Sequence, residues 1–99
     1  MSGRKFDHEK LRYDLLDPFF EEEIVKVLTH GAKKYSDNNW KHVERFEDRY
    51  YAALRRHIAA WRKGEKIDPE SKLSHLAHAG CNIFFLLWND LKNPSKDKQ

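Results

Sequence analysis

The sequence predicts a small all-α protein, a bundle of three main helices within 99 residues. Three segments carry apolar residues at helical spacing, and no segment alternates apolar and polar residues for long enough to predict a sheet. Residues 1–93 are predicted to form a single domain, followed by a polar tail at 94–99. Because the third segment is apolar over much of its circumference, we expect oligomerisation to complete the bundle.

The first helix is predicted to begin at the stretch "DPFFEEEIVKVL". Asp17 suits the capping position and Pro18 the first helical position, while three glutamates lie near the positive end of the helix dipole. Its apolar residues follow helical spacing and are predicted to face the core; they are Phe20, Ile24, Val27, Leu28 and Tyr35. Gly31 marks either a close backbone approach or an early end of the helix.

The second helix is predicted over residues 48–63, with Gly64 as its stop. Its apolar stripe consists of Tyr50, Leu54, His57, Ile58 and Trp61. A different stripe carries Arg49 and Arg56 with alanines between them. This second stripe fits either a solvated face or a phosphate-binding groove.

The third helix is predicted over residues 72–91, after the turn-rich connector "EKIDPES". One of its faces is apolar and comprises Leu76, Gly80, Ile83 and Leu87. Beside that face, a narrow stripe contains Ser71, His75, His78 and Asn82. These polar side chains are either hydrogen-bonded neighbours of the core or the lining of a ligand or metal site.

The composition excludes several classes of protein. Charged residues make up 35% of the chain, and no apolar run approaches the roughly 20 residues that a bilayer span needs. The N-terminus lacks the apolar core of a signal peptide, and the single cysteine, Cys81, fits a reducing cytoplasm. The net charge of +3 is nearly balanced, which argues against a nucleic-acid adaptor and suits a small anionic ligand equally well.

The order of several segments resembles a known family. The segments are "KFDHEKLRYDLL", "VLTHGAKKYSDNNW", "RYYAALRRHIAAWRKGE", "DPES" and "HLAHAGCNIFFLL", and together they span about residues 5–88. They resemble small phage and bacterial dATP/dGTP diphosphohydrolases, relatives of the MazG-like all-α nucleotide pyrophosphohydrolases. The resemblance implies a MazG-like helical fold assembled as homodimers or homotetramers. It also implies metal-dependent cleavage of a purine (deoxy)nucleoside triphosphate to its monophosphate and pyrophosphate, with Mg²⁺ or Mn²⁺ as cofactor.

The same resemblance implies roles for particular residues. The implied metal ligands are Glu22 and Glu23 of the first helix with His78 of the third, and the catalytic set adds His75. An inward Glu23 is costly unless a cation or metal accompanies it. The residues implied to bind the substrate are Lys33, Lys34, Arg49 and Arg56 for the phosphates, Asn39 and Trp40 for the base or sugar, and Asn82 in the same pocket.

The sequence departs from the MazG-like pattern at the metal site. Those enzymes carry Glu-x-x-Glu on one helix and Glu-x-x-Asp on the next, but here Glu21, Glu22 and Glu23 are followed at that spacing by Ile24, Val25 and Lys26. On the third helix the corresponding residues are His75 and His78. Imidazoles in place of carboxylates favour Mn²⁺ or a softer ion over Mg²⁺. A protein that sequesters a nucleotide in the same pocket without hydrolysing it is therefore the alternative hypothesis.

Overall fold

The computed structural model describes residues 3–94 and confirms the all-α prediction. Its three helices are α1 (Pro18–Lys34), α2 (Phe46–Arg62) and α3 (His75–Lys92). Short 3₁₀ helices precede α1 at Tyr13–Leu15 and follow it at Asn39–His42. Within residues 3–94 there is no β-strand, only an isolated antiparallel bridge between Ile67 and Ser74. Most of the predicted tail, residues 95–99, lies outside the described residues.

The start of α1 is the one predicted from the sequence. The Asp17 carboxylate accepts a hydrogen bond of 2.8 Å from the backbone N–H of Phe19, and Pro18 occupies the first helical position. Gly31 neither ends the helix nor marks a close approach, because a Cβ added there would meet nothing within 4 Å. The helix continues for another turn to Lys34.

The predicted start of α3 at residue 72 is wrong by three residues. Lys72 has a φ of 67°, which takes the backbone out of the helical region. Ser74 then caps the helix, since its hydroxyl accepts hydrogen bonds from the N–H groups of Leu76 and Ala77. Helix α2 begins two residues before its predicted start and ends at Arg62, where Gly64 follows with a φ of 106°.

Helix α3 is the centre of the fold and packs against both other helices. Among residues 3–94 the buried ones all belong to it; they are His75, Ala77, Ala79, Cys81, Asn82 and Phe85. Gly80 lies at the contact with α1, because a Cβ there would come within 2.9 Å of the Ile24 side chain. The small residues of α3 therefore let α1 approach closely.

Trp40 attaches the α1–α2 loop to α3. Its ring stacks on Phe85 with centroids 4.3 Å apart and meets the edge of Trp88 at 4.9 Å. The Tyr50 hydroxyl donates a hydrogen bond of 3.3 Å to the backbone carbonyl of Trp40. These aromatic contacts hold the loop after α1 against α2 and α3.

Several side chains of the three predicted apolar stripes are partly exposed to solvent. Phe20 and Tyr35 of the first stripe are 56% and 63% exposed, and Ile58, Leu76, Ile83 and Leu87 are also exposed. The physical reason is that three helices of one chain leave part of each helix uncovered. The radius of gyration, 17.0 Å, also exceeds the ~13 Å typical of a compact domain of this length. None of the helices between residues 3 and 94 is long and apolar enough to cross a membrane.

Candidate functional site

An open cavity of ≈ 1210 Å³ lies between the three helices, the α1–α2 loop and the connector before α3. Trp40, Phe84 and Trp88 form an aromatic wall of the cavity. On the α2 side, Ala52 and Ala53 line it with small side chains. Five cations line it, namely Lys34, Lys41, Arg45, Arg49 and Arg56. Four acidic residues also line it, namely Asp37, Asp48, Asp68 and Glu70; Glu70 pairs with Lys34 and Asp48 with Arg45. An apolar wall beside Arg49 and Arg56 suits a ligand that is aromatic at one end and anionic at the other.

Arg49 and Arg56, the α2 arginines predicted to bind phosphates, line this cavity, but Arg55 does not. Arg49 and Arg56 lie seven residues apart, two helical turns, so they share one face of α2. Arg55 turns away and donates a hydrogen bond of 2.6 Å to the Tyr51 hydroxyl on the outer face. Lys34, at the end of α1, forms an ion pair of 2.6 Å with Glu70 across the cavity.

The connector between α2 and α3 folds back onto the start of α3. The N–H of His75 donates to the carbonyl of Lys66 at 2.9 Å, and the N–H of Asp68 donates to the carbonyl of Leu73 at 2.8 Å. These backbone bonds bring two acidic side chains of the connector beside the first turn of α3. One of them, Glu65, places Oε1 2.6 Å from Nε2 of His75.

Three imidazoles meet at the inner edge of the cavity. Nδ1 of His57 lies 2.8 Å from Nδ1 of His75, so α2 and α3 are joined by a contact between imidazole nitrogens. The rings of His57 and His78 are stacked, with centroids 4.5 Å apart and an interplanar angle of 6°. Nε2 of His78 in turn contacts the Ser71 hydroxyl at 2.7 Å. We call His57, Asp68, His75 and His78 the histidine cluster.

The electrostatic environment favours uncharged imidazoles at His57 and His78 and an ionised carboxylate at Asp68. Burial, reinforced by His78 and His75, lowers the pKa of His57 to about 4. Burial also lowers the pKa of His78. For Asp68 burial acts to raise the pKa, but the hydrogen bonds from Ser71 and the nearby imidazoles outweigh it and lower the pKa overall. Near neutral pH, Asp68 is therefore an anion beside two uncharged imidazoles.

The structure brings together only part of the site that the sequence predicts. The predicted residues that line the cavity are Lys34, Asn39, Trp40, Arg49, Arg56 and His78. Glu22 and Lys33 line a smaller, adjacent depression that shares His30 and Ser71 with the cavity. Glu23 is half-exposed and pairs with Lys26 at 2.7 Å. His75 and Asn82 are buried in α3, and His75 reaches the cavity only through His57.

The metal ligands implied by the resemblance are not gathered at one point. Glu22 and Glu23 both approach Lys26 of the same helix, at 3.9 and 2.7 Å. Within residues 3–94, the only three acidic, histidine or cysteine side chains whose ligand atoms all lie within 4.8 Å of one another are His57, Asp68 and His75. Glu22, Glu23 and His78 thus do not form a cage of hard oxygen ligands that would suit Mg²⁺.

Sequence reasoning missed three members of this arrangement: His57, Glu65 and Asp68. His57 fits the apolar stripe of α2, and both acids fall in a connector that is rich in turn residues. The available signal was the Asp-Pro-Glu-Ser stretch, which forms a turn with the Ser71 N–H donating to Asp68 at 2.8 Å. Nothing local to His57 indicates that it meets a residue eighteen positions later.

Comparison with known proteins agrees with the segments described above. Residues 1–99 match a family model described as dATP/dGTP diphosphohydrolase, N-terminal. A protein named dATP/dGTP diphosphohydrolase from Salmonella phage PMBT28 is 37% identical over 99 residues, covering 98% of this chain and 33% of the phage protein. The chain thus spans about a third of that relative, and no solved structure matches it. The chain belongs to the dATP/dGTP diphosphohydrolase N-terminal family.

Proposed function

We propose that this chain binds a purine deoxynucleoside triphosphate in the cavity between α1 and α2. As part of a dATP/dGTP diphosphohydrolase, it would then take part in cleavage to the monophosphate and pyrophosphate. The observation that carries the proposal is the meeting of Lys34, Arg49 and Arg56 with the aromatic wall at Trp40 in one cavity. The name of the phage relative supports the substrate class.

The cations are placed to hold a polyphosphate. Arg49 and Arg56 project from one face of α2, and their guanidinium groups can each donate two parallel hydrogen bonds to phosphate oxygens. Lys34 approaches from the end of α1, where binding a phosphate competes with its ion pair to Glu70. Charge that develops on the phosphates during cleavage would be stabilised by cations in these positions.

The aromatic wall would contact the purine base of the nucleotide. Phe84 and Trp88 line the cavity next to Trp40, and a purine has a flat π-face that stacks on such side chains. Asn39, in the 3₁₀ helix that carries Trp40, also lines the cavity and offers both a donor and an acceptor to a base edge. We propose that this loop contacts the base and that α2 binds the phosphates.

The proposed reaction is attack of water on the α-phosphorus with pyrophosphate as the leaving group. A bound Mn²⁺ or Mg²⁺ would supply charge neutralisation of the phosphates and activation of the water. Arg49 and Arg56 of α2 would orient the triphosphate, and the aromatic wall would stack against the base. The preference for Mn²⁺ follows from imidazoles standing where the MazG-like pattern has carboxylates.

A second candidate is nucleotide binding without hydrolysis in the same cavity. It is favoured by the position of Glu22 and Glu23, which pair with Lys26 and do not line the cavity. In this candidate the cations and the aromatic wall sequester the nucleotide, and the phosphate chain stays intact.

Product analysis separates the two candidates. The purified chain is incubated with each of dATP, dGTP, dCTP and dTTP, with Mg²⁺ or with Mn²⁺, and the products are resolved by ion-exchange chromatography. Monophosphate and pyrophosphate from the purine nucleotides support the diphosphohydrolase. Intact nucleotides that nevertheless bind in calorimetry support the sequestering protein. If no purine nucleotide either reacts or binds, both candidates fail.

A further inference from the structure

We propose that His57, Asp68 and His75 form a binding site for one borderline transition-metal ion, of the Mn²⁺ or Zn²⁺ type, at the inner edge of the cavity. Their ligand atoms all lie within 4.8 Å of one another, and they come from α2, the connector and α3. The inference concerns metal binding by the free chain and does not depend on nucleotide hydrolysis. It replaces the ligand set Glu22, Glu23 and His78 with one that the fold assembles.

Glu65 prepares His75 for this role. An ionised carboxylate can only accept a hydrogen bond, so the 2.6 Å contact assigns the Nε2 proton of His75 to the bond with Glu65. The lone pair of His75 is then on Nδ1, the atom that faces His57. A carboxylate that orients the far nitrogen of a histidine is the usual outer partner of a metal-bound imidazole.

The contact between the two imidazoles has room for an ion after a small adjustment. At 2.8 Å, the Nδ1 atoms of His57 and His75 share one proton in a hydrogen bond. Two nitrogens bound at about 2.1 Å to a tetrahedral ion lie about 3.4 Å apart, so the rings would separate by about 0.6 Å. On binding, the ion takes the place of the shared proton, which moves to Nε2 of His57, so that His57 stays a neutral imidazole.

The third ligand is fixed and charged. The backbone N–H of Ser71 donates to Asp68 Oδ2 at 2.8 Å, which leaves the other carboxylate oxygen for an ion. Stacking on the His78 ring, with centroids 4.5 Å apart, restrains the His57 ring. Two nitrogens and one oxygen form a donor set that prefers Mn²⁺, Co²⁺ or Zn²⁺ to Mg²⁺.

The position of the ligands opens the site toward the cavity. His57 and Asp68 line the cavity, whereas His75 lies behind them, 4% exposed. Three protein ligands would leave at least one coordination position for water or substrate, and two of the three ligands line the cavity that the cations also line. An open position of this kind is typical of catalytic rather than structural metal sites.

Titration of the metal-free chain, without nucleotide, tests the site. Calorimetry with Zn²⁺, Mn²⁺ and Mg²⁺ is expected to give one equivalent of bound Zn²⁺ and of Mn²⁺, with Mg²⁺ at least tenfold weaker. One equivalent of Co²⁺ should produce visible d–d absorption bands. Stoichiometry well below one, absent Co²⁺ bands, or Mg²⁺ binding as tightly as Zn²⁺ would overturn the proposal.

Matched variants locate the ion. Asp68→Asn and His57→Gln are each expected to weaken Zn²⁺ binding by tenfold or more, while circular dichroism confirms that the helices are retained. His42→Ala removes an exposed imidazole outside the cluster and should leave the affinity unchanged. Wild-type affinity in Asp68→Asn and His57→Gln, or an equal loss in His42→Ala, contradicts the assignment. If a variant does not fold, the Co²⁺ spectrum of the unaltered chain still tests whether the chain binds an ion.

Discussion

Oε1 of Glu65 lies 2.6 Å from Nε2 of His75, and this contact ties a half-exposed carboxylate of the connector to a buried imidazole of α3. The connector is therefore held to the bundle by a side-chain bond as well as by its backbone bonds to Leu73 and His75. The same contact sets which nitrogen of His75 carries the proton.

Removing the Glu65 carboxylate should destabilise the fold. Glu65→Ala leaves a buried N–H without its partner, so we expect a loss of about 1 to 2 kcal/mol in the free energy of unfolding, and Glu65→Gln should lose less because its amide oxygen still accepts. Urea denaturation followed by circular dichroism measures both. The control is Glu70→Ala, which breaks the exposed pair with Lys34 and should cost less stability than Glu65→Ala because solvent screens an exposed pair. Equal effects of Glu65→Ala and Glu70→Ala would contradict this account.

Two glycines should respond to alanine with opposite signs. Gly64 has a φ of 106° after α2, so Gly64→Ala is expected to destabilise the fold by about 1 to 2 kcal/mol. Gly31 is inside α1 with open space around its Cβ position, so Gly31→Ala should stabilise by about 0.5 to 1 kcal/mol. Thermal unfolding of the two variants side by side measures the contrast. A stabilising Gly64→Ala would show that the α2 terminus has another backbone conformation.

The thiol of Cys81 should be inert in the folded chain. The residue is 1% exposed, and burial raises its pKa to about 12, so almost no thiolate is present at neutral pH. We expect no reaction with a colorimetric disulfide reagent over an hour in buffer and one equivalent in denaturant. Ser36→Cys supplies an exposed thiol in the α1–α2 loop as the positive control and should react at once. Rapid modification of Cys81 in buffer would mean that α3 opens locally.

The exposed apolar residues lead us to propose that two copies of the chain associate. Leu87 and Leu91 near the end of α3 are 54% and 70% exposed, and Ile83 lies one turn before Leu87. Burying them against a second copy would remove apolar area from water. Sedimentation velocity at micromolar concentration should show a dimer or tetramer, and Leu87→Lys should shift it toward monomer. A monomer over the whole concentration range would contradict self-association.

The sequence predicted where the helices lie better than which of their faces are buried. Asp17 and Pro18 mark the start of α1 through local capping chemistry, and the structure confirms both. The start of α3 was missed because Lys72 adopts a positive φ that no residue type there requires. The apolar stripes gave the helical period correctly, but Phe20 and Leu87 are exposed because helical spacing does not tell which apolar residues one chain can cover.

The candidate site was predictable where it depends on a single helix face. Arg49 and Arg56 share one face of α2 by their spacing, and both line the cavity. The histidine cluster was not predictable in the same way, because His57 and His75 meet only after the connector folds back. Their contact depends on the tertiary fold, which one sequence does not display.

The most direct test of the central claim compares two adjacent arginines of α2. Arg56 lines the cavity, whereas Arg55 bonds to Tyr51 on the outer face, so Arg56→Ala and Arg55→Ala remove the same charge from neighbouring positions. The measurement is the dissociation constant for dGTP by calorimetry at one fixed salt concentration. We expect Arg56→Ala to weaken binding at least tenfold and Arg55→Ala to change it less than twofold. Equal effects of the two substitutions would contradict nucleotide binding in this cavity.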